Sequence, residues 1–179
     1  MSIGRQHQAR IFTAGFAGRR PKVPVAPAAL EEAALARMSH DGGAYIAGGA
    51  GMERTMAANR NAFDHHRIVQ RVLRDASGRD LSIELLGRRL PLPILLAPIG
   101  VLEMAHAEAD LAAARAAASE GVPFVTSSQA SFPMEEIARA CGGGPRWFQL
   151  YWSSRNELVE SFVRRAEASG HEAIVVTLD

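Results

Sequence analysis

The stretch VPFVTSSQASFPMEEIARACGGGPRWFQLYWSS, residues 122–154, contains two short apolar runs with a helical pattern between them. The runs VPFVTSS and RWFQLY have the length and the β-branched or aromatic content of buried strands. Between them, residues 133–140 predict a helix that ends at the glycines 142–144. Because parallel strands need such a crossover, the stretch predicts one strand–helix–strand unit of a parallel sheet.

Similar units lie on both sides of this one. The run PILLAP at 93–98 precedes it, and EAIVVTLD at 172–179 follows it. An Ala-rich helical pattern at 106–120 and a second one that begins with the capping-box sequence SRNE at 154–157 separate these runs. The strand centres fall near residues 95, 124, 148 and 175, which is the spacing of repeated strand–helix units in a parallel sheet.

Periodicity leaves two architectures open for these units. Four strands and three helices can build an open sheet or half of a closed eightfold barrel. A doubly wound, flavodoxin-like sheet would need a glycine-rich phosphate loop after its first strand. The segment PIGVLEMAH contains one glycine and is a poor candidate for that loop.

The first 92 residues are organised differently. Residues 1–27 mix Arg, Gly and Pro, so we predict an extended arm followed by a helix at 28–37. Five glycines between positions 42 and 51 predict tight turns or close backbone contacts, and a helix at 56–63 follows. We therefore divide the chain into an arm, helices and lead-in segment at 1–92 and a region of strand–helix units at 93–179.

Composition excludes several classes of partner. Twenty Lys and Arg against nineteen Asp and Glu give a formal charge of +1, so we expect no binding to nucleic acid or to an anionic membrane. The single cysteine, Cys141, excludes an internal disulfide framework. No apolar run approaches the roughly 20 residues that span a bilayer, and the N-terminus lacks a hydrophobic signal core. We expect a cytoplasmic protein.

Polar groups gather where the four predicted strands end, which is where parallel α/β proteins place their sites. The residues are Pro98, Ile99, Gly100, Ser127, Ser128, Gln149, Tyr151, Thr177 and Asp179. Neutral amides and hydroxyls predominate, and no metal-ligand cluster occurs among them. Such a set suits the polar edge of a planar heterocycle such as a flavin, although each side chain could instead cap a local backbone group.

Five stretches carry a resemblance to a known family: AYIAGGAG (44–51), ERTMAANRNAF (53–63), RDLSIELLGRRLPLPILLAPIG (79–100), WFQLYW (147–152) and SFVRRAEASGHEAIVVTLD (161–179). They resemble the FMN-dependent α-hydroxy acid dehydrogenases and oxidases. Within that family, AYIAGGAG and APIG are most similar to the lactate 2-monooxygenase subgroup. The resemblance implies an α/β fold that is the first half, about four strand–helix units, of a (β/α)8 TIM barrel with FMN at its carboxyl face.

The resemblance also implies a role for individual residues. Tyr45 would hold the substrate carboxylate, and Tyr151 would lie beside the substrate hydroxyl as a catalytic residue. Asp179 would orient and charge a catalytic histidine. The residues implied to contact FMN are Pro98, Ile99, Gly100, Ser127, Gln149 and Thr177.

Two of the departures from the family pattern bear on the reaction and on the substrate. Gly100 stands where many family oxidases have Ala, in agreement with the monooxygenase subgroup. Gln129 stands where glycolate oxidases carry a bulky aromatic residue, which argues against a glycolate preference.

The catalytic histidine, its neighbouring arginine, a lysine near the flavin and the phosphate-binding loops would lie on the second half of such a barrel. We therefore expect an N-terminal fragment of an enzyme that oxidises a small, lactate-like L-2-hydroxy acid with FMN, inactive by itself. The alternative is a non-catalytic half-barrel that assembles with itself or with a separately encoded C-terminal half.

Overall fold

The computed structural model describes residues 3–75 and 78–178 and divides into two compact units, the first ending at Gly48 and the second beginning at Gly49. The first unit contains α1 (Ile3–Phe16), α2 (Pro27–Leu35) and α3 (His40–Ala47). The prediction of an extended arm over residues 1–27 is wrong for α1. The segment RQHQAR is rich in good helix formers, and the prolines that prevent helix begin only after α1 has ended.

The glycine-rich segment is helical at its start. The side chain of Ser39 accepts a hydrogen bond from the backbone N–H of Gly42 at 3.1 Å, so Ser39 caps α3 and the helix runs through Gly42 and Gly43. The prediction of tight turns is therefore wrong for these two glycines. It is confirmed at Gly51, which has φ +58°.

The second unit begins with a helix and a hairpin. Helix α4 (Arg54–Ala62) is followed by one 3₁₀ turn (Phe63–His65), close to the helix predicted at 56–63. Strands β1 (Ile83–Leu85) and β2 (Arg88–Leu90) form an antiparallel pair. Leu86 and Gly87 join them with φ +49° and +75°, as expected in a two-residue hairpin turn.

The sheet of the second unit is parallel. Strands β3 (Phe124–Thr126), β4 (Arg146–Leu150) and β5 (Ile174–Val176) pair in chain order. In their register Val125 pairs with Trp147, and Gln149 pairs with Val175. Three of the four predicted strands are therefore confirmed within the described residues.

The fourth predicted strand, near residue 95, is reduced to a single bridge. Leu96 donates to the carbonyl of Pro123 at 2.9 Å and accepts from Val125 at 3.1 Å. Pro91, Pro93 and Pro98 surround it, and proline provides no backbone N–H for a ladder. The apolar run is not buried as a whole, since Leu96 is half-buried beside β3 whereas Ile94 and Leu95 are exposed. The prolines prevent a longer strand.

Helices of the described chain pack on this sheet: α5 (Ala109–Glu120), α6 (Met134–Cys141) and α7 (Asn156–Ala168). The predicted glycine stops are confirmed, since Gly121 and Gly142 follow α5 and α6 with φ +68° and +56°. The predicted capping box of α7 is wrong. The N-cap residue is Arg155 and no side chain caps α7, while the hydroxyl of Ser153 accepts from the N–H of Arg155 at 3.2 Å, just before the helix.

Two hydrophobic clusters hold the helices on the sheet. The first contains Ala114, Ala117, Val122, Phe124, Ile137 and Cys141, and the second contains Met134, Phe148, Leu150, Val159 and Ala166. Cys141 is a free thiol whose pKa is raised by burial, so it serves as a small core residue. No helix in the described ranges has the length and apolar character needed to cross a membrane.

His171, in the turn before β5, is a buried imidazole with both nitrogens occupied. Its Nδ1 lies 3.1 Å from the carbonyl oxygen of Ala166, which can only accept, so Nδ1 carries the hydrogen. The Nε2 atom then accepts from the hydroxyl of Thr126 at 3.1 Å. Burial lowers the pKa of His171, the dominant effect, and the positive charge of Arg146 acts in the same direction.

We expect the fold to lose stability as the pH falls below about 6.5. In that range the unfolded chain binds a proton at His171 while the folded chain resists it, so protonation favours unfolding. Glu135 stays ionised there, because its hydrogen bonds to Arg165 lower its pKa to about 2. Urea midpoints at several pH values measure the effect, and His171→Gln should flatten the profile. The exposed His40→Gln variant should keep the wild-type slope, and an unchanged slope in His171→Gln would contradict this assignment.

Candidate functional site

An open cavity of about 400 Å³ lies at the carboxyl ends of the parallel strands. It is lined by Pro98, Gly100, Ser127, Gln129, Gln149, Tyr151, Thr177 and Leu178. These residues follow the Leu96 bridge, β3, β4 and β5 in turn, so each strand contributes to one site. The volume is within the range of small-molecule and cofactor sites.

Most of the predicted site residues come together here. Six of them line the cavity: Pro98, Gly100, Ser127, Gln149, Tyr151 and Thr177. Ile99 lies between two lining residues but is not among them, and 54% of its surface is exposed. Tyr45 lies on α3 in the first unit, exposed to solvent. Asp179 lies outside the described residues.

Gln149 connects three strand ends through its side-chain amide. Its Oε1 accepts from the backbone N–H of Ser128 at 2.9 Å and from the hydroxyl of Ser127 at 3.3 Å. Its Nε2 donates to Oγ1 of Thr177 at 2.8 Å. Gln149 is only 1% exposed, so this network is an ordered part of the core rather than a surface contact.

Sequence reasoning missed the importance of the loop after β3. The carbonyl of Gln129 accepts from the N–H of Val101 at 2.9 Å, and the hydroxyl of Ser131 accepts from the N–H of Glu103 at 3.0 Å. The N–H of Ser131 donates to the buried carboxylate of Asp110 at 2.8 Å. These bonds fix the loop against the segment after Gly100. In the sequence, the only sign of these hydrogen bonds is the presence of Ser and Asp residues, which are common in loops of any kind.

Removal of the Asp110 carboxylate tests how firmly this loop is held. Asp110→Ala leaves the N–H of Ser131 without its acceptor, and we expect a loss of about 1–3 kcal/mol in the free energy of unfolding, measured with urea. Asp110→Asn keeps an oxygen that can accept the bond, so it should lose less than half as much. Equal losses in the two variants would show that the hydrogen bond from Ser131 to Asp110 does not account for the loss in unfolding free energy.

Gly100 allows the chain to pass close to Gln129. A Cβ atom at position 100 would lie 3.2 Å from both Cβ and Oε1 of Gln129, closer than side chains normally pack. The next residue, Val101, adopts φ +45° and ψ +41°, a left-handed conformation that is unusual for a β-branched residue. Together, the glycine and the strained valine turn the chain sharply at the edge of the cavity.

The chemistry of the cavity fits the edge of a planar heterocycle. Two hydroxyls and two amides line it together with a phenol, and the glycine leaves backbone accessible to a flat ring. Its described lining contains no Lys or Arg, so these residues offer no cation to a phosphate. Within residues 3–75 and 78–178, no cluster of three His, Cys, Asp or Glu side chains could hold a metal ion.

Comparison with known proteins gives matches that agree with one another. A family model described as FMN-dependent dehydrogenase matches residues 34–179. The L-lactate oxidase of Lysinibacillus sphaericus is 42% identical over 156 residues, which is 87% of this chain and 40% of the relative. The 4-hydroxymandelate oxidase of Amycolatopsis orientalis is 44% identical over 135 residues, 75% of this chain and 37% of the relative.

Solved structures agree with these relatives. A crystal structure of mandelate oxidase is 40% identical with a TM-score of 0.79, covering 88% of this chain and 45% of that one. A mutant mandelate oxidase solved with an FMN adduct is 39% identical with a TM-score of 0.75, covering 82% of this chain and 44% of that one. The chain thus spans less than half the length of the relatives and solved structures it matches.

Proposed function

The chain belongs to the family of FMN-dependent dehydrogenases, and on that basis we propose that it takes part in the FMN-dependent oxidation of a small, lactate-like L-2-hydroxy acid. FMN is the cofactor of this family, whose members oxidise 2-hydroxy acids. The observation that carries the proposal is the Gln149 network, which gathers the ends of β3, β4 and β5 around one cavity. The part contributed by this chain is one side of the FMN site.

The architecture we propose is the first half of a (β/α)8 barrel over residues 93–179, with residues 1–92 as an arm, helices and lead-in segment. The parallel order of β3, β4 and β5 and the bridge that adds Leu96 beside β3 support it. Strands of a barrel follow one another in chain order in this way, whereas a doubly wound sheet reverses its order near the binding site.

FMN would be held in the cavity by its ring. Ser127, Gln149 and Thr177 would hydrogen-bond the polar edge of the ring, and the segment from Pro98 through Ile99 to Gly100 would pass beside it. Bound FMN would accept the two electrons and the α-hydrogen that leave the hydroxy acid. Because no cation lines the described cavity, we expect the 179-residue chain alone to bind FMN weakly.

The substrate would lie beside Tyr151, whose side chain lines the cavity and is partly exposed. A phenol there can donate a hydrogen bond to the hydroxyl or the carboxylate of a hydroxy acid. Tyr45 is a second proposed substrate residue, and Asp179 is a proposed partner of a catalytic histidine. Assignment to the lactate 2-monooxygenase type within the family is also part of this proposal, supported by Gly100 in its APIG segment.

We expect the 179-residue chain with added FMN not to oxidise L-lactate. The described lining of the cavity contains no imidazole, carboxylate or amine, the side chains that usually serve as general bases. The measurement is anaerobic loss of flavin absorbance after addition of L-lactate. Free FMN without protein is the control. Lactate-dependent bleaching above that control would contradict this part of the proposal.

A second candidate role, self-assembly or pairing with a complementary chain, is favoured by β5. Among the described residues no strand pairs with its outer edge, and Ile174, Val176 and Leu178 are exposed there. An apolar edge strand of this kind is a template for pairing. Size-exclusion chromatography at several protein concentrations tests the role, since it predicts a species larger than the 19.2 kDa monomer. A monomer at every concentration would count against self-assembly.

A further inference from the structure

The orientation of the Gln149 amide is decided by one partner. Its two ends differ only in that the oxygen accepts and the nitrogen donates, and the hydroxyls of Ser127 and Thr177 can do either. The backbone N–H of Ser128 can only donate, and it lies 2.9 Å from Oε1. The contact with Ser128 is therefore the one that requires the oxygen on the β3 side and the nitrogen on the β5 side.

Ser128 is itself held in place by its side chain. The pairing of β3 with β4 ends at Thr126 and Phe148. Beyond that point the hydroxyl of Ser128 donates to the carbonyl of Gln149 at 2.6 Å and accepts from the N–H of Tyr151 at 3.1 Å. A side chain thus continues the hydrogen-bond ladder by one step after the strand has ended, and it keeps the N–H of Ser128 beside the Gln149 amide.

We propose that Ser128 is a positioning residue that fixes the Gln149 amide with its nitrogen toward Thr177. Because Gln149 donates to Oγ1 of Thr177, the hydrogen of the Thr177 hydroxyl is left to donate elsewhere. The cavity then offers donors at this edge and selects ligand atoms that accept hydrogen bonds, such as carbonyl oxygens and unprotonated ring nitrogens. The link to the flavin ring rests on the proposed function, whereas the orientation of the amide does not.

The test uses ¹⁵N NMR of the 179-residue chain with three variants. Ser128→Ala removes the hydroxyl, Ser128→Thr retains it, and Ser119→Ala removes a hydroxyl that bonds within its own helix, at the carbonyl of Ala116. We expect Ser128→Ala to speed hydrogen exchange of the Gln149 side-chain NH₂ and the Tyr151 amide about tenfold, as for the loss of one or two hydrogen bonds. The other two variants should remain within about twofold of wild type.

A general loss of stability would look different, because it would speed exchange throughout the core, including the amides of Phe124 and Phe148. Exchange that rises equally at those amides, or no change at Gln149, would overturn the proposal. If Ser128→Ala does not fold, the test is made instead on the wild-type protein and on Ser128→Thr. In both, the amide of Ser128 must be protected from exchange, and a rapidly exchanging Ser128 amide would overturn the proposal.

Addition of FMN separates this inference from the proposed function. If FMN leaves the signals of the cavity residues unmoved while Ser128→Ala frees the Gln149 amide, the positioning role stands and the FMN site does not. If FMN moves those signals equally in wild type and Ser128→Ala, Ser128 does not position the amide for the cofactor. We expect FMN-induced shifts in wild type and Ser128→Thr, and reduced shifts in Ser128→Ala.

Discussion

Replacement of Phe148 by alanine is expected to lower the free energy of unfolding by about 3–5 kcal/mol, as for the loss of a fully buried aromatic ring. The ring is 1% exposed at the centre of β4, and it contacts Phe162 and His171 with centroid distances of 5.8 and 6.0 Å. Its removal would leave a cavity between the sheet and α7, and a loss of this size is a large part of a typical domain's stability.

Urea denaturation followed by circular dichroism measures this change. Phe63→Ala is the matched control, because that ring is 81% exposed in the 3₁₀ turn after α4 and its loss should change the unfolding free energy by no more than about 0.5 kcal/mol. Similar losses in the two variants would contradict the assignment of Phe148 to the centre of the core.

Replacement of Gln149 by leucine is expected to abolish FMN binding at the cavity. Leucine has a similar size but neither donates nor accepts, so the edge between Ser127 and Thr177 loses its amide. The N–H of Ser128 also loses its acceptor, for which we expect a destabilisation of about 1–3 kcal/mol. Titration with FMN, followed by NMR shifts of the cavity residues, measures the functional loss.

The control for this variant is Gln70→Leu, which changes an exposed glutamine in the loop between α4 and β1. It should retain the wild-type response to FMN. If Gln149→Leu kept full FMN-induced shifts while remaining folded, the amide would have no part in holding the ring.

The sequence predicted the strand–helix units well where local signals and burial agree. Gly121 and Gly142 end their helices because the positive φ at each stop suits glycine, and this can be read from the residue itself. Strands β3 and β4 are buried on both faces, so their apolar content marked them clearly.

The prediction failed where the outcome depends on competition between local signals. The run PILLAP is apolar enough for a strand, but its prolines limit it to one bridge at Leu96. At the start of α7 the sequence SRNE predicted a capping box, but the N-cap position is held by Arg155 and no side chain caps the helix. In residues 1–27 the Gly and Pro content outweighed a helix-forming segment that in fact forms α1.

The candidate site was predictable in outline because strand ends in parallel sheets meet at one edge. That rule placed Ser127, Gln149 and Thr177 together from spacing alone. It could not give the hydrogen-bond directions, which depend on the loop after β3 and on Ser128 in particular. The roles of Tyr45 and Asp179 came from the family resemblance alone and stay predictions.

The central claim, that this cavity is one side of an FMN site, is tested most directly by titrating the ¹⁵N-labelled chain with FMN. We expect the backbone signals of Gly100, Ser127, Gln149 and Thr177, together with the Gln149 side-chain amide, to shift progressively with added FMN. Shifts that are absent from these residues, or that are confined to the basic segment at residues 19–22 where a phosphate alone would be attracted, would contradict it.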